Sequence, residues 1–364
     1  MKDYHLVLVF ITAFSVVLLA MPALIKVAKL KHLVDEPSED RKVHTRSVPT
    51  IGGIMIFSAF MFSCLLWFPD HDENALFEIE QFNYLMASLI LLFFVGVKDD
   101  IIGMSPTKKL MAHLMVGFIL VVMGDIRITS FHGILGMDIE FPEYASYLIS
   151  IFVYIVIVNA INLIDGVDGL ASGVGIIASI AFGLWFATAG DKHWALVAFS
   201  MSGALLGFLV FNFNPARIFM GDSGSLIVGA VISVLAIKLI ESDTAFLAQK
   251  FDGMFQNIST PVLAMTALAY PLLDTLRVFT IRAAKGKSPL SADRNHLHHN
   301  MLDRNPRHKV TVIVIYLFTL IMISQALFIQ FENPNISFFI SVGFAMLFVF
   351  YVFFIHPKKE KKSA

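Results

Sequence analysis

Five carboxylates border apolar runs in this chain. Asp99 and Asp100 are adjacent in "KDDIIGMSPTKKL", Asp165 and Asp168 are three residues apart in "NAINLIDGVDGLASG", and Asp222 sits between Gly221 and Ser223 in "NFNPARIFMGDSGS". Like charges at a low-dielectric boundary repel one another and stay ionised only where cations compensate them. Hard oxygen donors in such number favour Mg²⁺ or Mn²⁺ over zinc, and Mg²⁺ completes its shell with water and substrate phosphate. The chemistry implied is phosphoryl transfer on a diphosphate. On a helix, the i, i+3 spacing of Asp165 and Asp168 would put both on one face with Asn162. Gly166, Gly169, Gly221 and Gly224 flank the carboxylates, where backbone must turn or approach a ligand closely.

Basic residues complete the set. Lys42, Arg46, Lys108, Lys109 and Arg294 are suited to neutralising phosphate oxygens. The run "RNHLHH" brings together His296, His298 and His299, which near neutrality can donate to a phosphate or a sugar hydroxyl. Plainer readings compete with each residue taken alone. A lone Asp at a helix end is usually a cap. Three histidines can bind zinc, but no cysteine or nearby carboxylate trio accompanies them in the sequence. Asp274 and Arg277, at i, i+3, read as an ion pair inside the bundle. Lys26, Lys29, Lys31 and the C-terminal lysines read as topology signals. The single cysteine, Cys64, reads as a small buried hydrophobe.

The elements that must position these residues are membrane spans. Of 364 residues, 57% are hydrophobic and 15% charged, with a mean hydropathy of +0.75. That lies well outside the range of soluble domains. The chain is predicted to be an all-α integral membrane protein with about eleven transmembrane helices. They fall at 5–25, 51–69, 82–97, 109–124, 145–163, 173–189, 194–212, 223–241, 259–281, 310–330 and 337–355. About 22 of the 27 Lys and Arg residues fall in one set of connections, so that side is cytoplasmic. The N-terminus is then outside and the C-terminus inside. All five polar clusters reach the cytoplasmic face, where residues far apart in sequence can form one site. The stretch near 125–141 alternates around a Gly-containing turn and is predicted to be a small outer β-hairpin. The whole of 1–364 reads as a single polytopic domain, with 283–309 a cytoplasmic substrate-recognition loop.

The segments "RKVHTRSVPTIGG", "DDIIG", "NAINLIDGVDGLASG", "NFNPARIFMGDSGS", "PLLDTLRV" and "DRNHLHH", in this order over nearly the whole chain, resemble the polyprenyl-phosphate N-acetylhexosamine-1-phosphate transferases. "DRNHLHH" is similar to the branch that uses UDP-N-acetylglucosamine and starts O-antigen and enterobacterial common antigen synthesis. The resemblance implies that undecaprenyl phosphate attacks the β-phosphate of UDP-N-acetylglucosamine, that UMP leaves, and that the reaction depends on Mg²⁺, with Mn²⁺ an alternative. It implies Asp222 as the main metal ligand and Asp99 and Asp100 beside the attacking lipid phosphate, which Lys109 helps to hold. Asn162, Asp165, Asp168 and Asn212 would line the nucleotide side; Arg294, His296, His298 and His299 would contact sugar and diphosphate. The implied setting is a bacterial cytoplasmic membrane, with the bilayer as partner and no nucleic acid; the sequence does not fix the oligomeric state, and the Phe-rich spans leave room for a homodimer contact. A lipid-linked sugar transporter would place its polar residues near mid-membrane instead. A CDP-alcohol phosphatidyltransferase would need an Arg soon after the first Asp-Gly, which "DGVDGLASGVG" lacks.

Overall fold

A computed structural model describes residues 4–35, 48–68, 76–253, 255–286, 296–304 and 307–355. The described chain is almost entirely helical: α1 (Tyr4–Leu30), α2 (Gly53–Trp67), α3 (Leu76–Ile102), α4 (Pro106–Phe118), α5 (Glu143–Ile164), α6 (Leu170–Ala189), α7 (Lys192–Asn212), α8 (Asp222–Ile240), α9 (Ala245–Lys250), α10 (Thr260–Ala267), α11 (Ala269–Ala284), α12 (Leu297–Arg304), α13 (His308–Phe328) and α14 (Pro334–Phe350). A two-stranded antiparallel ribbon, β1 (Val34–Asp35) with β2 (Val48–Pro49), is the only sheet among the described residues.

Each of the eleven predicted segments contains helix, but not all of them qualify as spans by length and apolarity. Among the described residues eight helices are long and apolar enough to cross a membrane, or nine if one bent pair is a single span. The reasons are local. Helix α2 has only 15 residues, short of the roughly 20 that a bilayer core needs. Helix α3 carries Glu78 and Glu80 near one end and Lys98, Asp99 and Asp100 at the other. Helices α10 and α11 meet at 74°. Pro271 lies four residues after Ala267, so its ring collides with that carbonyl and it donates no N–H, which ends one helix and starts the next.

The predicted outer hairpin is also corrected. Residues 125–141 form turns and one 3₁₀ turn, Ile134–Gly136, without a strand ladder. Side chains take the place of a partner strand: Ile128 donates its N–H to Ser150 Oγ at 2.8 Å, Thr129 donates to Glu241 Oε1 at 3.0 Å, and Leu135 donates to Asn335 Oδ1 at 2.5 Å.

The chain divides into two compact units, Met1–Thr129 with Phe141–Glu241, and Ser130–Glu140 with Ser242–Ala364. In the first, α8 is the central helix, packed against α2, α3, α5, α6 and α7, while α1 packs on α2 and α7. Its sequence is apolar all round, as a fully enclosed helix requires. Backbones approach where side chains are smallest. A Cβ on Gly53 would lie 2.0 Å from the Gly224 nitrogen, and one on Gly96 would lie 2.5 Å from the Ser223 Cα. Short cross-chain bonds lock the same region: Phe219 donates its N–H to the Pro49 carbonyl at 2.7 Å, Gly52 donates to Phe219 at 3.0 Å and Gly53 donates to Met220 at 2.8 Å. The second unit is built on α13, which packs against α10, α11, α12 and α14.

Gly53→Val drives a side chain into the backbone of α8 and is expected to lower stability by at least ~3 kcal/mol. Gly343 in α14 has nothing within 4 Å of a would-be Cβ, so Gly343→Ala is expected to be neutral or stabilising by up to ~1 kcal/mol. Apparent melting temperatures of the two purified variants in detergent check the contrast.

Candidate active site

Helices α2, α4, α6 and α8 begin at the same end of the first unit at which α3, α5 and α7 finish, so the polar segments between them converge. At the centre is the first turn of α8. Gly221, at φ +70°, precedes it, and a Cβ there would lie 2.1 Å from the Thr50 carbonyl oxygen. Asp222 is then the first helical residue, where the helix dipole favours a carboxylate.

Three elements grip this turn. Asp100, at the end of α3, accepts the N–H of Asp222 at 2.7 Å on one oxygen and the N–H of Ser223 at 3.0 Å on the other. Two otherwise unpaired amides of α8 are thereby satisfied from another helix. Lys109 of α4 lies between two carboxylates, 3.1 Å from Asp99 and 2.8 Å from Asp222. Ser105 and Pro106 start α4 so that Lys109 falls in its first turn. Asn162 of α5 donates one amide to Asp222 and to Ser225 Oγ, the latter at 2.8 Å.

The expectation that Asp165 and Asp168 share a helix face is corrected. Helix α5 ends at Ile164, Asp165 is its C-terminal flanking residue, and Gly169, at φ +80°, turns the chain into α6. The break puts the two carboxylates to different uses. Asp165 is half-buried at the turn; burial, and then the carboxylates of Asp222, Asp100 and Asp168, push its carboxyl well above the usual range. Asp168, 4% exposed, accepts Asn214 Nδ2 at 2.9 Å and the Ala216 N–H at 3.0 Å. Asn212 accepts the Gly169 N–H at 2.9 Å and the Ser172 hydroxyl at 3.1 Å, and donates to the Ile218 carbonyl at 3.0 Å. Together Asp168 and Asn212 clasp the 165–170 turn to the 212–218 loop.

The histidines belong to the second unit. Asp274, fully buried on α11, accepts His296 Nδ1 at 2.8 Å and the Leu297 N–H at 2.5 Å. An acceptor-only carboxylate on Nδ1 fixes the proton there and leaves Nε2 as the basic nitrogen. His298 Nδ1 lies 3.7 Å from the same carboxylate and 3.3 Å from the Tyr270 hydroxyl. The His296 and His298 rings stack, with centroids 5.2 Å apart, and the half-buried His299 lies 4.5 Å from His298. Asp274 is the residue of this cluster that the sequence did not associate with the histidines. Arg277, its expected ion-pair partner, lies with its guanidinium 4.8 Å from the Phe353 ring centroid.

Asp99, Asp165 and Asp222 share one cluster of helix ends, where burial and neighbouring carboxylates raise Asp165 and favour its neutral form. Asp274, His296 and His298 offer one oxygen and two nitrogens within 4.8 Å of one another, a mixed set of the kind transition metals take. Lys108 is exposed. Lys42, Arg46 and Arg294 lie outside the described residues, as does part of the 283–309 loop.

A family model described as glycosyl transferase family 4 matches residues 82–240. A Mycolicibacterium smegmatis decaprenyl-phosphate N-acetylglucosaminephosphotransferase is 30% identical over 309 residues, 81% of this chain and 75% of that one. A probable undecaprenyl-phosphate N-acetylglucosaminyl 1-phosphate transferase of Bacillus subtilis (strain 168) is 29% identical over 92% of this chain and 88% of its own. The undecaprenyl-phosphate alpha-N-acetylglucosaminyl 1-phosphate transferase of Escherichia coli (strain K12) is 27% identical over 90% and 84%.

Asp100→Ala leaves two N–H groups of α8 without acceptors and is expected to cost about 1–3 kcal/mol for each, read as a lower melting temperature. Burial pushes His298 down to about 3 against the opposing pull of Asp274. The unfolded chain takes up a proton near pH 6.5 that the folded chain refuses, so this residue makes stability fall as pH drops from about 6.5 toward 3. In chelator-treated protein the acid limb of the melting-temperature profile should flatten in His298→Asn.

Proposed function

The chain belongs to glycosyl transferase family 4, and from that premise we propose that it transfers N-acetylglucosamine 1-phosphate from UDP-N-acetylglucosamine to undecaprenyl phosphate. It is a sugar-phosphate transferase and a multi-pass membrane protein, with relatives that act on polyprenyl phosphates. A phosphate oxygen of the lipid attacks the β-phosphorus of the nucleotide sugar. The bond from that phosphorus to the bridging oxygen breaks, and UMP departs with the oxygen. The lipid product would stand at the first membrane step of O-antigen or enterobacterial common antigen synthesis, in a bacterial cytoplasmic membrane, with the carboxylate site facing the cytoplasm.

The observation that carries this reading is the grip on Asp222. One carboxylate at a helix N-terminus, bridged through an ammonium to Asp99 and steadied by Asn162, is a fixed frame for charge in phosphoryl transfer. Asp222, with Asp99 and Asp165, would hold a divalent cation, whose charge would offset that of the diphosphate. Mg²⁺ or Mn²⁺ matches those oxygen donors. Lys109, within reach of both carboxylates, is placed to bring an ammonium to the acceptor phosphate. Asp100 acts through α8, by fixing the direction of Asp222. Asp168 and Asn212 act by holding the 165–170 turn. His296, oriented by Asp274, would accept from a sugar hydroxyl at its Nε2, with His298 and His299 beside it.

The test uses purified protein in detergent with undecaprenyl phosphate, Mg²⁺ and labelled UDP-N-acetylglucosamine. Label should pass into an organic-extractable lipid with one UMP released per lipid formed, and EDTA should abolish it. Release of UDP would mean glycosyl transfer and would overturn the mechanism; a panel of UDP-hexosamines fixes the donor. Asp222→Asn should reduce transfer by at least ~10³-fold, comparable to losing one dominant electrostatic element, while the variant still inserts and purifies as a monodisperse species. Near-normal turnover in that variant would sink the assignment of Asp222.

A further inference from the structure

Two polar side chains within the spans have no part in the site described above. His113 on α4 is 2% exposed and Tyr154 on α5 is 1% exposed. Among the described residues, neither ring nitrogen of His113 nor the Tyr154 hydroxyl has a hydrogen-bond partner. Their rings meet edge to face, with centroids 6.2 Å apart. His113 follows Lys109 by four residues, so it stands on the same face of α4, about 6 Å further into the bundle. Lys109 and Asp222 are the charged groups that act on it. Tyr154 packs against Gly117, where a would-be Cβ lies 3.4 Å from its ring, and so sits a turn deeper. The three side chains descend from the carboxylate cluster into the membrane-spanning part of the unit.

Buried polar atoms without partners cost about 1–3 kcal/mol each, and in a bilayer no bulk water relieves them. Leucine and phenylalanine would fill both places without that cost. A bundle that retains an imidazole and a phenol here is suited to a ligand that accepts hydrogen bonds, because a neutral imidazole and a phenol each offer one donor. An oxygen-rich anion next to the Lys109 ammonium meets that requirement. Which anion follows from Lys109, placed above at the acceptor phosphate: His113 stands one turn below that ammonium on the same face of α4.

We propose that His113, with Tyr154 beneath it, forms the membrane-side wall of the subsite for the acceptor's phosphate monoester and donates to one of its oxygens directly or through a single water. The proposal rests on the transferase reading above and adds to it where the lipid phosphate lies and what holds it besides Lys109.

The test is steady-state kinetics on the full-length protein, varying undecaprenyl phosphate and UDP-N-acetylglucosamine separately, together with melting temperatures. His113→Leu and Tyr154→Phe should each raise KM for the lipid phosphate by roughly fivefold, the loss of one hydrogen bond. KM for the nucleotide sugar should be unchanged, and His113→Gln should recover most of the loss. Tyr154→Phe removes a single buried oxygen and keeps the test alive if His113→Leu does not fold. An unchanged lipid-phosphate KM in a Tyr154→Phe protein that melts higher would overturn the proposal, since the hydroxyl would then be an unused cost. A rise confined to the nucleotide-sugar KM would also overturn it, by assigning the wall to the donor's diphosphate. A wild-type protein that transfers nothing from any UDP-hexosamine would instead remove the transferase reading itself.

Discussion

Lys109 joins Asp99 and Asp222 across a gap that would otherwise hold two repelling carboxylates at the edge of an apolar bundle. Much of the first unit serves that bridge. Its three members come from the end of α3 and the starts of α4 and α8, so the bridge forms only if those helix ends are level. Asp100 sets α8 against α3 by accepting both amides of its first turn. Asn162 sets α5 against α8 by donating to Asp222 and Ser225. The 49–53 segment sets α2 against the approach to α8 through backbone bonds alone. Close contact at Gly53, Gly96 and Gly224 removes the slack that larger side chains would introduce.

The same physics accounts for the irregular places. An apolar chain in a bilayer must satisfy its backbone internally, and side chains do so wherever a helix stops. Asp168 and Asn212 take that task between α5, α6 and the loop before α8. Ser146, Ser150 and Glu241 take it for 125–129, in place of a strand partner. Each of these side chains binds backbone, which is why a polar residue near a membrane boundary is weak evidence for catalysis when taken singly. Asp100 and Asp165 show the contrast. Both are carboxylates near Asp222, but Asp100 accepts two amides of α8, while Asp165 has the Gly221 amide against three neighbouring carboxylates.

Much of this was legible in the sequence, for definite reasons. Helix and membrane class follow from apolar runs, and the meeting of Asp99, Asp100, Lys109, Asn162 and Asp222 follows from the alternating direction of successive apolar helices. The place of Asp222 at a helix start follows from the glycine before it. Other features depend on backbone direction, which residue spacing does not encode. An i, i+3 pair of aspartates reads as one helix face until Gly169 takes a positive φ and splits them between two roles. The bend at Leu268 comes from a proline three residues downstream, inside a segment whose apolarity is unbroken. The pairing of Asp274 with His296 crosses 22 residues and a loop, and an i, i+3 arginine offered a nearer partner on paper. His113 lies inside an apolar helix, and sequence gives no account of which hydrogen bonds fail to form.

On the proposed reading, the arrangement also bears on where catalytic power comes from. A phosphate monoester has its second pKa near 6, so the acceptor is largely dianionic at neutral pH without help from a base. An aspartate beside it would repel it unless compensated, and the Lys109 ammonium lies 3.1 Å from Asp99. A general base would need a carboxylate with a free lone pair aimed at a proton that the nucleophile has already lost. What the reaction lacks is a way to bring two anions, lipid phosphate and nucleotide diphosphate, into contact. An ammonium held between carboxylates, with further oxygen donors suited to a divalent ion, lowers that repulsion while fixing direction. The carboxylates are then best understood as the scaffold that holds positive charge in place, and the order of importance runs from Asp222 and Lys109, through Asp99 and Asp165, to Asp100, which touches only the helix that carries Asp222.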